Sequence, residues 1–194
     1  MKKIKQSITE LQHAYRFLYP RLTIIVSCGT MEKANALTIA WSTPLSVDPP
    51  LIGVLITKKR YSHQIIKEKG DFVINIPEFS QVESAFYLGT ISGREASNKI
   101  IKAGFTLEAS LKVDAPKLKE CLINIECKLI KLVPTGDHDL FIGKVVNLTV
   151  EENIRDNWGI DPWKFDNIYW RQSRKKDETF ILTKIDSIRK EDNE

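Results

Sequence analysis

Short runs of β-branched and apolar residues bounded by glycine or proline recur along the N-terminal half of the chain, as buried strands require. Residues 22–28 read as one such strand, and a turn over 29–33 leads to a second over 34–41. Residues 43–50 carry Pro44, Pro49 and Pro50 and are predicted to be extended, with several ladder donors missing. Further strands are predicted over 51–57 and 72–76, the latter closed by Pro77. Between them, 61–69 reads as a helix with Ile65 and Ile66 on its inner face and Gly70 as its stop. Ser80 to Glu83 has the S-x-x-E form of a capping box and predicts a helix through Leu88. Another helix is predicted over 94–103, with Gly104 as its C-cap. Residues 121–133 alternate as a long half-buried strand does, and Leu140, Ile142, Val146, Leu148 and Val150 mark one more. Residues 151–166 read as irregular, and 167–170 with 179–185 as a closing hairpin. Ahead of all this, residues 7–18 form a short helical arm that Pro20 ends.

Strands dominate this order and do not alternate regularly with helices, so a doubly wound parallel sheet is excluded in favour of a mainly β architecture: a mostly antiparallel barrel with helical insertions. Residues 1–18 are assigned to the arm and 19–194 to one domain.

Apolar residues at 42% and charged residues at 28% are ordinary for a globular chain. The net charge of +4 leaves 25 acids against 29 bases. The clearest basic run, Arg171, Arg174, Lys175 and Lys176, is followed at once by Asp177 and Glu178 and reads as a solvated loop. A dedicated nucleic-acid surface is therefore not expected, and Ile168 to Arg171 is the one stretch that interleaves aromatic and basic residues. No apolar run reaches the length of a membrane span, and no apolar segment follows the basic N-terminus, so a cytoplasmic protein is expected. Cys28, Cys121 and Cys127 are odd in number and contain no C-x-x-C. Cys121 and Cys127 are expected to share one strand face as small core residues. No dinucleotide fingerprint, P-loop, zinc motif or nucleophile elbow is present, so the chemistry must come from a bound cofactor and no metal site is expected.

Three segments carry candidate chemistry, each with a plainer alternative. Period 2 places Asn35, Leu37, Ile39 and Trp41 on one face and Ala36, Thr38, Ala40 and Ser42 on the other. The small face admits a flat ring against main chain, or is simply a strand entering a loop. Residues 56–64 run from a strand into a helix N-terminus carrying Thr57, Lys58, Lys59, Arg60 and Ser62, which is a phosphate site or an exposed basic turn capped by Ser62. His138, between Asp137 and Asp139 at a strand entry, is a group titrating near neutrality or a turn residue.

Taken in order, Tyr19-Pro20-Arg21, Asn35-Ala36 leading to Trp41 and Pro44, Val47 to Leu51, Lys59 to Ser62, Phe72 to Asn75, and Gly136-Asp137-His138 with Phe141 to Gly143 resemble the flavin reductase-like family, and the flavoredoxins within it. The resemblance spans roughly residues 17–150, and residues 151–178 depart from it. It implies an FMN-binding split barrel, usually a homodimer with non-covalent FMN near the subunit interface. Carried over by position, Asn35, Ala36 and Trp41 lie at the flavin ring and its ribityl chain, and Thr57, Arg60 and Ser62 at the phosphate. Lys99 matches the basic residue that reaches the cofactor. His138 matches the histidine beside the reactive face and is the candidate catalytic residue. Phe165 or Tyr169 is expected to supply a late aromatic contact. The implied activity is NAD(P)H-dependent reduction of flavin or ferric iron. The alternatives are a flavoredoxin-type electron carrier reduced by a protein partner and, distantly, a nucleic-acid-binding β-barrel.

Overall fold

The structure, a computed structural model, describes residues 9–155, 159, 164–171 and 181–183. A 3-10 helix, Leu11–Leu18, precedes strands β1 (Arg21–Leu22), β2 (Ile24–Gly29), β3 (Ala34–Ile39), β4 (Ser42–Ser46) and β5 (Leu51–Thr57). Helix α1 (Tyr61–Lys69), β6 (Asp71–Ile76), α2 (Val82–Thr90) and the single turn α3 (Lys99–Lys102) follow. The chain then runs through β7 (Leu107–Glu108), β8 (Lys117–Leu118), β9 (Ile123–Pro134), β10 (His138–Val150), β11 (Tyr169–Arg171) and β12 (Ile181–Thr183).

Seven strands form one sheet in the order β3-β2-β6-β9-β10-β5-β4, and every pairing in it is antiparallel. Its two edge strands, β3 and β4, are consecutive in sequence, so the curled sheet leaves a split where Ala40 and Trp41 cross. Leu55 N donates to Trp41 O at 2.9 Å and extends the β4–β5 ladder to the rim of the split. Alternation along each strand divides the apolar residues between two cores. Ile24, Val26, Cys28, Leu37, Val54, Ile56, Phe72, Ile74, Cys127 and Phe141 point inward, and Ile66 of α1 joins them. Gly143 makes that interior possible, since a Cβ there would sit 2.6 Å from Phe72 Cζ. On the outer face, Ile25 and Ala36 meet Ala85 and Leu88 of α2, with Ile100, Phe105 and Leu118 completing a second core.

Asn75 and Glu126, both buried, find several partners in the second layer. The Asn75 amide donates to Ile25 O and Ser27 Oγ, and its carbonyl accepts from Leu118 N and Asn124 Nδ2. Buried Glu126 accepts from Leu111 N, Lys112 N and Asn147 Nδ2, fastening the loop before β8 to the sheet.

Helix α1 and strands β5 and β6 lie where the pattern predicts them, and Gly70 ends α1 in the left-handed conformation (φ 79°). Five details differ. The strand predicted over 22–28 is broken at Thr23, because Arg21 and Leu22 pair with β11 in a separate three-stranded sheet, β1-β11-β12. The capping box sits earlier than Ser80: Glu78 and Gln81 cap each other, and Ser80 Oγ donates to Glu78 Oε2. The helix predicted over 94–103 shrinks to α3, because residues 92–95 fold as turns over the neighbouring site. Cys121 and Cys127 do not share a face: β9 starts only at Ile123, leaving Cys121 in the outer core and Cys127 in the inner one. Finally, the small-residue face of β3 is covered by α2, with Thr38 Oγ1 donating to Ala85 O at 2.6 Å. The charged run from Arg174 to Glu178 lies outside the described residues. Among the described residues, no helix is long and apolar enough to cross a membrane.

Candidate functional site

Two cavities adjoin along the split. The first, about 500 Å³, lies between the turn that links β5 to α1 and the loop after α2, and is lined by Asn35, Thr57, Arg60, Ser62, Arg94 and Lys99 among others. The second, about 190 Å³, opens beside β3 and β5 and is lined by Tyr19, Leu37, Trp41, Leu55, His138 and Trp170 with their neighbours. Leu37, Thr57 and Arg60 belong to both, so the two form one crevice.

The first cavity is cationic. Lys59, Arg60, Arg94 and Lys99 line it against a single carboxylate, Glu95. Three of these cations bond to main-chain carbonyls. Arg60 Nη1 donates to Gly89 O at 3.1 Å, Arg94 Nη1 to Lys59 O at 3.1 Å, and Lys99 Nζ to Leu88 O at 3.1 Å and Ile91 O at 2.8 Å. Lys99 is only 2% exposed. Its burial, and secondarily the Arg60 charge, pull its pKa down to about 8. No side chain caps the N-terminus of α1; His63 N donates to Arg60 O at 3.1 Å, and the N–H groups of Tyr61 and Ser62 ahead of it precede the first intrahelical bond and keep the dipole's positive end available. Asn35 Nδ2 donates to Ser62 Oγ at 2.7 Å and fixes the hydroxyl at the cavity wall. Gly93 lets the far wall close, since a Cβ there would stand 2.2 Å from Asn35 Oδ1. Tyr61 completes the rim under the Arg94 guanidinium, 5.0 Å from its ring centre.

The second cavity is aromatic. The Trp41 and His138 rings lie 4.7 Å apart, tilted by 31°. Trp41 Nε1 donates to Tyr19 Oη at 3.0 Å, and Tyr15 of the arm meets the Trp41 ring edge-on at 5.4 Å. His138 Nδ1 and Asp137 Oδ1 are 2.8 Å apart. A carboxylate only accepts, so the proton lies on Nδ1. The same bond holds the Asp137 carboxyl below the usual carboxylate range. Nε2 makes no hydrogen bond among the described residues.

Asn35, Thr57, Arg60, Ser62 and Lys99 thus meet in the first cavity, and Trp41 and His138 in the second. Ala36 lines neither: it is 0% exposed beneath α2. Phe165 is buried in the inner core, and the aromatic residue that reaches the second cavity from the C-terminal hairpin is Trp170 rather than Phe165 or Tyr169. Local pattern carried no signal for Trp170, which the pairing of β11 with β1 delivers. Tyr19 and Arg94 belong to stretches singled out above but not as cavity residues. The cysteines are buried, and burial pushes the Cys28 and Cys127 thiols up to about 12, too high for nucleophilic work at neutral pH.

A family model described as flavin reductase like domain matches residues 15–179. The chain belongs to this family. An uncharacterized protein of Archaeoglobus fulgidus is 40% identical over 148 residues, 76% of this chain and 82% of that one. The solved flavoredoxin of Desulfovibrio vulgaris (Miyazaki F) is 28% identical, with a TM-score of 0.76 over 94% of this chain and 93% of that one. An FMN-binding protein from Thermus thermophilus, solved with bound 1-cyclohex-2-enone, is 25% identical, with a TM-score of 0.75 over 95% and 94% of the two chains. The fold is accordingly the split barrel of these proteins.

Proposed function

We propose that this protein binds FMN non-covalently in the joined crevice and works as an NAD(P)H-dependent reductase of flavin or ferric iron. The observation that carries this reading is the direct junction of a cationic cavity with an aromatic one through Leu37, Thr57 and Arg60, which matches a dianionic phosphate joined to a flat ring system. The cations of the first cavity bond to carbonyl oxygens rather than carboxylates, so an arriving phosphate meets no internal competitor beyond Glu95.

Thr57, Arg60, Ser62 and Lys99 with the α1 N-terminus hold the phosphate by charge-assisted hydrogen bonds. Asn35 aligns the Ser62 hydroxyl, while Leu37, Leu55 and Trp41 line the space for the ring. Bound FMN supplies the two-electron acceptance and release that no side chain here offers. His138, its Nδ1 held by Asp137, offers Nε2 to stabilise negative charge or to orient a donor in the second cavity. A homodimer is part of this reading: β4 is a sheet edge on which Leu45 is exposed, and Val47 just beyond it is 94% exposed, so a second copy has an apolar edge to cover.

Anaerobic addition of NADH or NADPH to the FMN-loaded protein tests the activity: rapid bleaching of the flavin band is expected with one of them. Similarity to a flavoredoxin over most of both chains favours a second reading, an electron carrier reduced by a protein partner. Bleaching by dithionite but by neither nicotinamide is the result that selects it.

A further inference from the structure

Three residues assigned above to the ligand, Thr57, Ser62 and His138, are each followed in sequence by a charged or titratable residue, Lys58, His63 and Asp139. Of those three followers, Lys58 and His63 both contact Asp139. Thr57 and His138 are direct cross-strand partners on β5 and β10, as are Ile56 and Asp139. Strand alternation therefore sends His138 into the second cavity and Asp139 toward the barrel interior. There Asp139, only 4% exposed, accepts from His63 Nε2 at 2.8 Å, and the His63 ring stands edge-on to Phe141 at 4.9 Å. Its other oxygen, Oδ1, has no hydrogen-bond partner among the described residues and sits 3.5 Å from Lys58 Nζ, at ion-pair distance. One carboxylate thus ties β10, which carries His138, to the turn that carries Thr57 and to the first turn of α1, which carries Ser62.

We propose that Asp139 is the positioning residue of this site: through His63 and Lys58 it sets where the phosphate-holding turn stands relative to His138. The proposal rests on the flavin reading for its ligand, but not for its geometry. A buried carboxylate with two donor partners is costly to break, because removing it leaves the His63 N–H and the Lys58 ammonium without their acceptor. The crevice then loses the side-chain tie from β10 to Lys58 and to the first turn of α1. The hydrogen bond from His63 to Asp139 also commits His63 to one tautomer, so its ring plane, and with it the first turn of α1, has one orientation.

Two measurements on the full chain test this. FMN affinity is read by fluorescence titration, and the ring nitrogens of His138 are read in the flavin-free protein by histidine-selective NMR across a pH series. Asp139→Asn is expected to weaken FMN binding about tenfold or more, since small misplacements of a binding geometry carry losses of that order, and to shift the His138 ring signals. Lys58→Gln, at an exposed amine, is expected to move both readouts in the same direction by a smaller amount. It decides the matter if Asp139→Asn does not fold. Glu126→Gln is the control: Glu126 is as buried and as heavily hydrogen-bonded but lines neither cavity, so both readouts should match wild type. Wild-type FMN affinity together with unshifted His138 signals in Asp139→Asn and Lys58→Gln overturns the proposal. If the wild-type protein itself takes up no FMN, the flavin reading fails instead. The His138 signals then decide the positioning role: shifted, they support it; unshifted in both variants, they end it.

Discussion

Lys99→Met separates the burden of the buried cation from everything else at the site. In the ligand-free fold, burial first and Arg60 second bring the Lys99 pKa from its ordinary 10.5 to about 8. The folded value lies below the unfolded one, so between about pH 8 and 10.5 the unfolded chain holds the proton that the folded chain has lost. Stability therefore rises with pH across that window, and the full penalty is present below about pH 8. The gap corresponds to about 3 kcal/mol. Urea denaturation of the two proteins in parallel reads it, because every other titrating group is common to both. Wild type is expected to gain about 3 kcal/mol on Lys99→Met between pH 7.5 and pH 10.5. At saturating FMN the phosphate dianion becomes a partner for the ammonium, the folded pKa climbs back, and the window closes. The same reasoning requires proton uptake when FMN binds near pH 9, measured by calorimetry in buffers of different ionisation enthalpy and lost in Lys99→Met. Stabilities that run parallel through the window would refute the argument, since Lys99 would then be as well solvated folded as unfolded.

Gly93→Ala places a Cβ against Asn35 Oδ1. It should cost about 1–3 kcal/mol in chemical denaturation and weaken FMN binding, because Asn35 can no longer hold Ser62; unchanged midpoint and Kd would contradict this. Phe141→Ala empties a fully buried position between β5 and β9 and should destabilise by about 3–5 kcal/mol, seen as an earlier urea midpoint; a loss below 1 kcal/mol would mean that the barrel interior collapses freely around the gap. His138→Ala should abolish nicotinamide-driven flavin reduction in stopped flow while retaining FMN, and an unaltered rate would remove His138 from the chemistry.

Local pattern carried the strands and helix around the phosphate-like cavity because each is a single run with its own stop: Gly70 after α1, Pro77 after β6. It placed Thr57, Arg60 and Ser62 together because they lie within six residues on one strand-to-helix turn. It misjudged Ala36, since alternation separates the two faces of β3 without telling which one a helix will cover, and α2 arrives from far along the chain. The 94–103 helix failed for a related reason. Lys99 is drawn to the carbonyls of Leu88 and Ile91, and Gly93 is pressed against Asn35, so tertiary contacts override a pattern that is helical on its own terms. Trp170 was out of reach because only the β1-β11 pairing brings it beside Tyr19 and Trp41. The tie through Asp139 is likewise invisible along the chain, although its members sit next to residues that pattern and resemblance both picked out.

The central claim, that the joined crevice holds FMN, is tested most directly by incubating the purified protein with FMN, removing free ligand by desalting, and recording the visible spectrum and flavin fluorescence. The account predicts one flavin retained per chain with quenched emission, lost on denaturation and weakened in Arg60→Ala. A protein that emerges without flavin, and gives no heat when FMN is titrated into it, contradicts the account.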